Sequence, residues 1–292
     1  MTLKRGIDHL VLCVNDLELS TAFYRQLGFT TTPRARHPWG TDNCLIQLAG
    51  SFIELLTVSS PALISAAGPK TFSFGAFNQK FLAQREGMSM LVFESTDAEA
   101  DREEFMARGL PPWDKFYFER QAKLPDGSQV PVAFSLAFAT DPGMPQAAFF
   151  CCQQHAPQYF WKAEYQSHSN GADNILEVIM VAESPETFAG FFCKLQEPDS
   201  VVITGSALTV HTPRGTIRVV TPAEAGRRYG AIKLSNLPES PYFLGFSVRI
   251  SNLNLVAEHL RKNSIPSEIS NQLIRVQPKD AFGVMIEFRN NN

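Results

Sequence analysis

The chain has 292 residues, of which 44% are hydrophobic and 19% charged, a balance typical of a globular protein with a substantial core. Its net charge is −3 and its lysines and arginines are scattered, so we expect neither a nucleic-acid partner nor a membrane partner. No apolar run approaches the roughly 20 residues of a membrane-spanning helix. The five cysteines are odd in number and several lie in apolar strand patterns, which predicts reduced thiols in a cytoplasmic protein.

The first 58 residues contain the clearest pattern of elements. An apolar run over residues 6–14 predicts a strand, and Asp16 is a good N-cap for the helix that follows. Gly28 suits the left-handed position just after a helix end. Short strands are then predicted over residues 29–32, 43–48 and 51–58. The order of elements in this region is therefore βαβββ.

The same order of elements recurs three more times, with opening strands near residues 88, 172 and 243. We therefore predict an N-terminal domain over residues 1–152 and a C-terminal domain over residues 172–292, each made of two modules. The connector, residues 153–171, is rich in aromatic side chains, so we expect it to be ordered and packed across both halves.

Two residues of the first module do not suit apolar strands, namely His9 and Glu54. A lone histidine on such a strand is either an interior residue with a hydrogen-bond partner or a ligand. A buried carboxylate needs compensation, which a metal ion, an arginine or a proton would supply. The residue pattern alone leaves these alternatives open.

Four short segments resemble those of a known superfamily: Asp8-His9-Leu10, Asn15-Asp16-Leu17, Phe23-Tyr24 before Leu27-Gly28-Phe29, and Ile53-Glu54-Leu55. They are similar to a glyoxalase / bleomycin-resistance / extradiol-dioxygenase module of the vicinal oxygen chelate superfamily. Residues 36–43 resemble its glyoxalase-like-domain branch. The resemblance implies an α+β glyoxalase-like fold in which four βαβββ modules pair into two curved mixed sheets. It also implies a divalent metal ion, Fe, Mn or Zn, held inside the cup of a sheet.

The resemblance makes His9 and Glu54 the expected metal ligands, since they lie on the first and last strands of a module. Met90 replaces the histidine expected in the second module, and Cys151 aligns nearest to Glu54. His155 would complete a two-histidine, one-carboxylate set if the last strand extends or kinks. The alternative for His155 is a polar residue at a strand end.

His37, Thr41 and Asn43 are candidates for substrate contact at the rim of the cup. The alternative is turn chemistry, because His-Pro and Trp-Gly pairs interrupt regular structure and Thr and Asn side chains bond to nearby backbone.

The corresponding positions of the second half are assigned to Asn174, Gly245, Arg218 and Glu287. Only Glu287 is a good metal ligand, and we predict that it pairs with Arg218 in place of a metal ion. The C-terminal half is therefore expected to be structural, or to act as a lid or partner surface.

These expectations support three hypotheses about function. The first is a metal-dependent enzyme of the lyase, isomerase or dioxygenase type that acts on a small oxygen-rich substrate in the N-terminal cup. The second is a metal-free small-molecule binding or sequestering protein of the bleomycin-resistance type. The third is an interaction protein with a filled cup. Modules of this kind pair within one chain or between two, so a homodimer is one expected assembly.

Overall fold

The computed structural model describes residues 5–123, 129–230, 241–270 and 272–290, and its strands form two eight-stranded sheets. The strands of the first sheet are β1 (Ile7–Cys13), β2 (Ala35–Arg36), β3 (Thr41–Gln47), β4 (Phe52–Val58), β5 (Gly87–Ser95), β6 (Phe116–Lys123), β7 (Gln129–Ala139) and β8 (Ala148–Gln154). Those of the second are β9 (Ala172–Val181), β10 (Val201–Thr204), β11 (Ala207–His211), β12 (Thr216–Val220), β13 (Tyr242–Ile250), β14 (Glu268–Ile269), β15 (Leu273–Val276) and β16 (Met285–Asn290). The helices are α1 (Leu17–Gln26), α2 (Phe74–Leu82), α3 (Ala98–Ala107), α4 (Pro157–Phe160), α5 (Ala189–Leu195), α6 (Pro222–Tyr229) and α7 (Leu253–Lys262).

The two sheets have the same topology, with strand orders β2-β3-β4-β1-β5-β8-β7-β6 and β10-β11-β12-β9-β13-β16-β15-β14. In each module the first and last strands pair in parallel, as β1 does with β4 and β9 with β12. The two modules of a half meet through one antiparallel pair, β1 with β5 and β9 with β13. The predicted α+β fold of four paired βαβββ modules is confirmed.

Helix α1 begins and ends where the sequence predicts. The side chain of Asp16 accepts a hydrogen bond from the Leu19 amide at 2.9 Å. Gly28 has a φ of +90°, which residues with a Cβ atom rarely adopt, and Phe29 bonds back to the Tyr24 carbonyl at 3.1 Å. The helix is thereby capped at both ends.

Four helices differ from the prediction. Helices α2, α4 and α6 were not predicted, because none of them lies inside a repeated module pattern. The helix expected from Ser184 begins instead as a 3₁₀ turn, Pro185–Phe188, and the Ser184 side chain forms no cap bond. The α-helix starts only at Ala189.

One face of each sheet packs against the other half to form a shared hydrophobic core. The rings of Phe29 and Phe288 lie 6.0 Å apart across it, and those of Phe149 and Phe243 lie 5.5 Å apart. The other face of the first sheet carries a separate cluster that includes Cys152, whereas Cys151 belongs to the shared core. The two neighbouring cysteines thus face opposite sides of the sheet, and all five cysteines of the chain are free thiols.

The connector forms hydrogen bonds with the first sheet. Gln47 donates to the Phe160 carbonyl at 2.8 Å and accepts from the Lys162 amide at 3.0 Å. His168 accepts from the Thr30 amide through Nδ1 at 3.0 Å, and its Nε2 atom lies 2.7 Å from the Gln47 carbonyl. These bonds fix the connector against the edge of the N-terminal cup. Among the described helices, none is long and apolar enough to cross a membrane.

Candidate functional site

The concave face of the first sheet lines a cup with mostly aromatic walls. The polar lining residues are His9, His37, Asn43, Glu54 and Arg120. The apolar lining residues are Trp39, Leu45, Phe52, Phe74, Phe118, Phe134, Leu136, Phe150, Cys152 and Phe160. The empty volume is about 480 Å³, counting the space at the mouth that is open to solvent. A few polar groups within an apolar cavity are the usual composition of a small-molecule site.

A distortion of β1 brings Asp8 and His9 together. Successive residues on a regular strand face opposite sides, but the pairing of β1 with β5 is irregular between Ile7 and His9. As a result, Oδ2 of Asp8 lies 2.6 Å from Nδ1 of His9, and both side chains are buried. Since a carboxylate only accepts, His9 donates through Nδ1, and this bond selects the tautomer whose Nε2 atom carries a lone pair.

The His9 ring is also fixed by packing. It stacks on Phe52, with ring centroids 4.2 Å apart and an interplanar angle of 13°. The edge of Phe150 approaches it at 5.7 Å. The orientation of Nε2 is therefore set by one hydrogen bond and two aromatic neighbours.

His37 has a similar arrangement. Its Nδ1 atom lies 2.9 Å from Oγ1 of Thr41, and its ring stacks on Trp39 at 4.6 Å. Burial lowers the pKa of His37 to about 4, although the nearby Glu54 carboxylate favours the charged form. His37 is thus neutral at pH 7. Thr41 is fully buried behind it and orients the ring rather than lining the cup.

Glu54 lies between the two histidines. Its Oε2 atom is 3.8 Å from Nε2 of His9, and its Oε1 atom is 3.8 Å from Nε2 of His37. Asn43 donates to Oε1 at 2.6 Å. Burial lowers the pKa of Arg120, and the Glu54 charge acts in the opposite direction. Asn43 and Arg120 are therefore the donor and the cation that offset the buried carboxylate.

Of the six predicted site residues, His9, Glu54, His37 and Asn43 meet in the cup, and Thr41 supports one of them. His155 does not join them. It is exposed at the end of β8, and its Nε2 atom lies 2.8 Å from Oγ of Ser135.

The position of His155 follows from the alternation of side chains along β8. Phe150 and Cys152 line the cup, so Cys151 and the residues of its parity point away from it. In the parallel pairing of β5 and β8, Met90 lies opposite Ala148, as His9 lies opposite Phe52. The counterpart of Glu54 is therefore Phe150, and the alignment with Cys151 was wrong by one residue.

The metal ion implied by the family resemblance needs ligands that converge on one point, and His9, His37 and Glu54 do not form such a group. The described residues contain no group of three or more His, Cys, Asp or Glu side chains that could hold a metal. The second module presents Met90 and Phe150 instead of ligands. In addition, the Asn43 amide nitrogen lies 2.6 Å from Glu54 and 3.4 Å from Nε2 of His37, so a hydrogen-bond donor bridges the two. The side chains as arranged do not fit a metal ion.

The concave face of the second sheet carries a network of ion pairs. Glu287, which is fully buried, accepts from Arg275 at 2.7 Å and also pairs with Arg289. Arg218 pairs with Glu177 at 2.6 Å, so the predicted Arg218–Glu287 pair was wrong. An Arg–carboxylate network supplies its own charge balance without an added ion.

One predicted counterpart in this half needs correction, whereas Gly245 lies opposite Met285 as His9 lies opposite Phe52 and is the counterpart that the sequence predicted. Arg218 lies opposite Ile179, as Glu54 lies opposite Val11, which makes Glu177 rather than Asn174 the counterpart of His9. Gly245 offers no room for a side chain, because an added Cβ atom would lie 2.0 Å from the Met285 carbonyl oxygen.

Sequence reasoning missed Asp8, Arg120 and most of the aromatic wall. Alternation along a regular strand would place Asp8 on the face opposite His9, and only the irregular pairing of β1 brings the two side chains together. Arg120 lies on the edge strand β6, in a stretch whose face could not be assigned without the register of β6 with β7. Phe74 lies on the unpredicted helix α2.

Comparisons with known proteins agree with this fold. Residues 7–195 match a family model described as glyoxalase-like domain. No curated protein matches the chain. A hypothetical protein from Staphylococcus aureus has a similar structure, with a TM-score of 0.69 and 12% identity over 98% of this chain and 100% of that chain.

Two further solved structures have the same fold. One is a xylose isomerase-like TIM barrel/4-hydroxyphenylpyruvate dioxygenase fusion protein, with a TM-score of 0.58 and 12% identity. The match covers 99% of this chain and 49% of that one. The other is a mutant of 4-hydroxymandelate synthase from Streptomyces coelicolor, with a TM-score of 0.55 and 9% identity over 100% of this chain and 94% of that chain. At such identities these likenesses describe the fold alone.

Proposed function

We propose that this chain, a member of the glyoxalase-like domain family, has in its N-terminal cup a metal-free binding site for one small organic molecule. The molecule has an apolar ring or chain and, at one end, a group that donates hydrogen bonds. The observation that carries this proposal is the convergence of acceptors inside an otherwise apolar cup. These acceptors are Nε2 of His9, Nε2 of His37 and the carboxylate of Glu54.

The acceptors are preorganised for such a ligand. Asp8 and Thr41 bond to the outer ring nitrogens, so both imidazoles direct Nε2 toward Glu54 without further rearrangement. The separations of 3.8 Å are too long for direct hydrogen bonds within the protein. The Asn43 amide already donates to Oε1 of Glu54 and lies 3.4 Å from Nε2 of His37. A bound hydroxyl or amino group would supply a donor to Nε2 of His9 or to Oε2 of Glu54, and the aromatic walls would bury the rest of the ligand.

One observation favours a second candidate, an enzyme that moves a proton. Asp8 holds His9 in the tautomer with an unprotonated Nε2 atom, the arrangement that a general base requires. His9 would accept a proton from the bound molecule through Nε2, and Asp8 would stabilise the resulting imidazolium. The residue would return the proton at another atom in an isomerase, or to a departing group in a lyase.

The binding proposal is tested with phenol and anisole, which differ in one O–H donor. We expect phenol to bind the wild-type protein at least about tenfold more tightly than anisole, because only phenol satisfies the acceptors. Titration calorimetry measures both. His9→Ala and Glu54→Gln should remove most of the difference, whereas His211→Ala, on the exposed end of β11, should leave it unchanged.

The metal-dependent enzyme expected from the family resemblance is tested on the same protein. Elemental analysis after purification without chelator should find less than one Fe, Mn or Zn per chain. Stoichiometric metal that disappears in His9→Ala and Glu54→Gln would overturn the metal-free proposal. Equal affinity for phenol and anisole would overturn the role assigned to the acceptors.

A further inference from the structure

The N-terminal cup opens into a larger groove. The groove has an empty volume of about 1650 Å³, including space open to solvent, and it is bounded by β2, β3, β6, β7 and the connector. Asn43, Leu45, Arg120 and Phe160 line both the cup and the groove. A molecule bound in the cup can therefore extend past these four side chains into the groove.

Arginine and lysine side chains outnumber carboxylates in the lining of the groove. Its lining includes the cations Arg34, Arg36, Arg120 and Lys162 and one carboxylate, that of Glu164. Several cations around one concave surface raise the local concentration of anions and favour an anionic ligand.

Arg34 and Arg36 are held in place by one buried carboxylate. Asp42 has an exposed fraction of 1%, and it lies 2.6 Å from Arg34 Nη2 and 3.0 Å from Arg36 Nε. Glu18 approaches Arg34 only at 3.8 Å and is itself largely exposed, so solvent screens that contact. One carboxylate thus orients two guanidinium groups and balances only one of the two charges.

Arg120 stands where the cup and the groove meet. It is partly buried, and its charge faces the Glu54 carboxylate on the cup side. An oxyanion binds more strongly to a desolvated guanidinium than to an exposed guanidinium. The planar donors of arginine also suit carboxylate and phosphate-type groups.

We infer that the groove binds an oxyanion carried by the same molecule whose ring lies in the cup, with Arg120 and Arg36 among its contacts. The ligand class is therefore a small aromatic acid with a hydrogen-bond donor at one end and an anionic group at the other. This inference rests on the proposed function, since it requires an occupied cup.

The test compares 4-hydroxybenzoate with its neutral counterpart 4-hydroxybenzamide by titration calorimetry. We expect the carboxylate to bind at least about tenfold more tightly, and added salt to reduce this advantage. Arg120→Gln and Arg36→Gln should each reduce the ratio of the two affinities, and Arg120→Lys should retain part of it. Arg227→Gln, on the exposed face of α6, is the matched control. A third probe, 4-hydroxyphenylphosphonate, distinguishes a phosphate-type ligand from a carboxylate by its affinity relative to 4-hydroxybenzoate.

Arg36→Gln keeps the test informative even if Arg120→Gln perturbs the cup, because Arg34 still pairs with Asp42. Equal affinities for the acid and the amide, or a ratio unchanged by both substitutions, would overturn the inference and leave the proposed function intact. If neither probe binds and phenol does not bind either, the proposed function itself fails.

Discussion

Oδ2 of Asp8 lies 2.6 Å from Nδ1 of His9, although neighbours on a regular strand face opposite sides of a sheet. The irregular pairing of β1 with β5 makes this contact possible. It commits the Nδ1 proton of His9 to Asp8 and leaves Nε2 as the atom that meets a ligand. The position of one irregularity in a strand therefore decides the chemistry of the cup.

Asp8→Asn should weaken this contact, because a neutral amide replaces a charged acceptor. We expect a loss of about 2 kcal/mol in the free energy of unfolding and a mixture of the two His9 tautomers. Ring ¹⁵N chemical shifts measure the tautomers, and denaturant unfolding measures stability. Asp173→Asn, at a half-exposed ion pair, should change stability by less than about 1 kcal/mol. An unchanged tautomer in Asp8→Asn would show that packing against Phe52 alone orients the ring.

Asn43 and Glu54 should be coupled energetically, since the Asn43 amide donates to the buried carboxylate at 2.6 Å. Asn43→Ala leaves that carboxylate without this donor and should cost about 2 kcal/mol of stability. In the Glu54→Gln background the same change should cost less, because a neutral amide is cheaper to leave unbonded. The coupling comes from a double-mutant cycle measured by denaturant unfolding. Additive effects of the two substitutions would mean that solvent already compensates Glu54.

Features that depend on residues close together in the sequence could be predicted from the sequence alone. The βαβββ order, the Asp16 cap and the Gly28 turn depend on neighbouring residues, and the structure confirms them. His9 and Glu54 could be selected because charged or titratable groups on apolar strands are costly without partners.

Other features depend on register, which a single sequence does not specify. The predicted alignment of β8 was shifted by one residue, so that Cys151 took the place of Phe150 as the counterpart of Glu54. The same shift made His155 a predicted ligand. A shift of three residues replaced Glu177 by Asn174 as the counterpart of His9. The partner of Glu54 was foreseen as a metal, an arginine or a proton, but the choice required the pairing of β6 with β7, which places Arg120.

Stability should fall as the pH falls below about 6.5, because two buried histidines are neutral in the folded protein. Burial lowers the pKa of His37 to about 4 and also lowers the pKa of His168. Between about pH 6.5 and pH 4 the unfolded chain therefore binds more protons than the folded one, so acid favours unfolding. The His37 contribution is on the order of 3 kcal/mol, and it should be fully present above pH 6.5 and lost by pH 4.

The measurement is the free energy of unfolding at several pH values for the wild type and for His37→Gln. The substitution should flatten the curve between pH 4 and pH 6.5, whereas His211→Gln, on exposed β11, should not. If the slopes of the wild type and His37→Gln coincide, His37 titrates normally in the folded protein.

Glu287→Gln should destabilise the C-terminal half, because Arg275 and Arg289 would both lose a fully buried carboxylate. Removing one partner from a buried ion pair typically costs about 3–5 kcal/mol. Asp173→Asn again serves as the half-exposed control. Binding of phenol in the N-terminal cup should be retained wherever the protein is folded. A cost below about 1 kcal/mol would mean that the C-terminal cup is hydrated enough to screen its charges.

The interlocked charges of the C-terminal cup also restrict how this protein can evolve. Arg289 contacts both Glu177 and Glu287, and Arg275 contacts both Glu287 and Glu268. Removing Glu287, Arg275 or Arg289 leaves a charge without one of its partners, so none of these residues can be replaced alone at low cost. Ligand binding in this half would need coordinated changes at several positions, each harmful alone. New ligand specificity can therefore arise through single substitutions in the N-terminal cup more readily than in the C-terminal one.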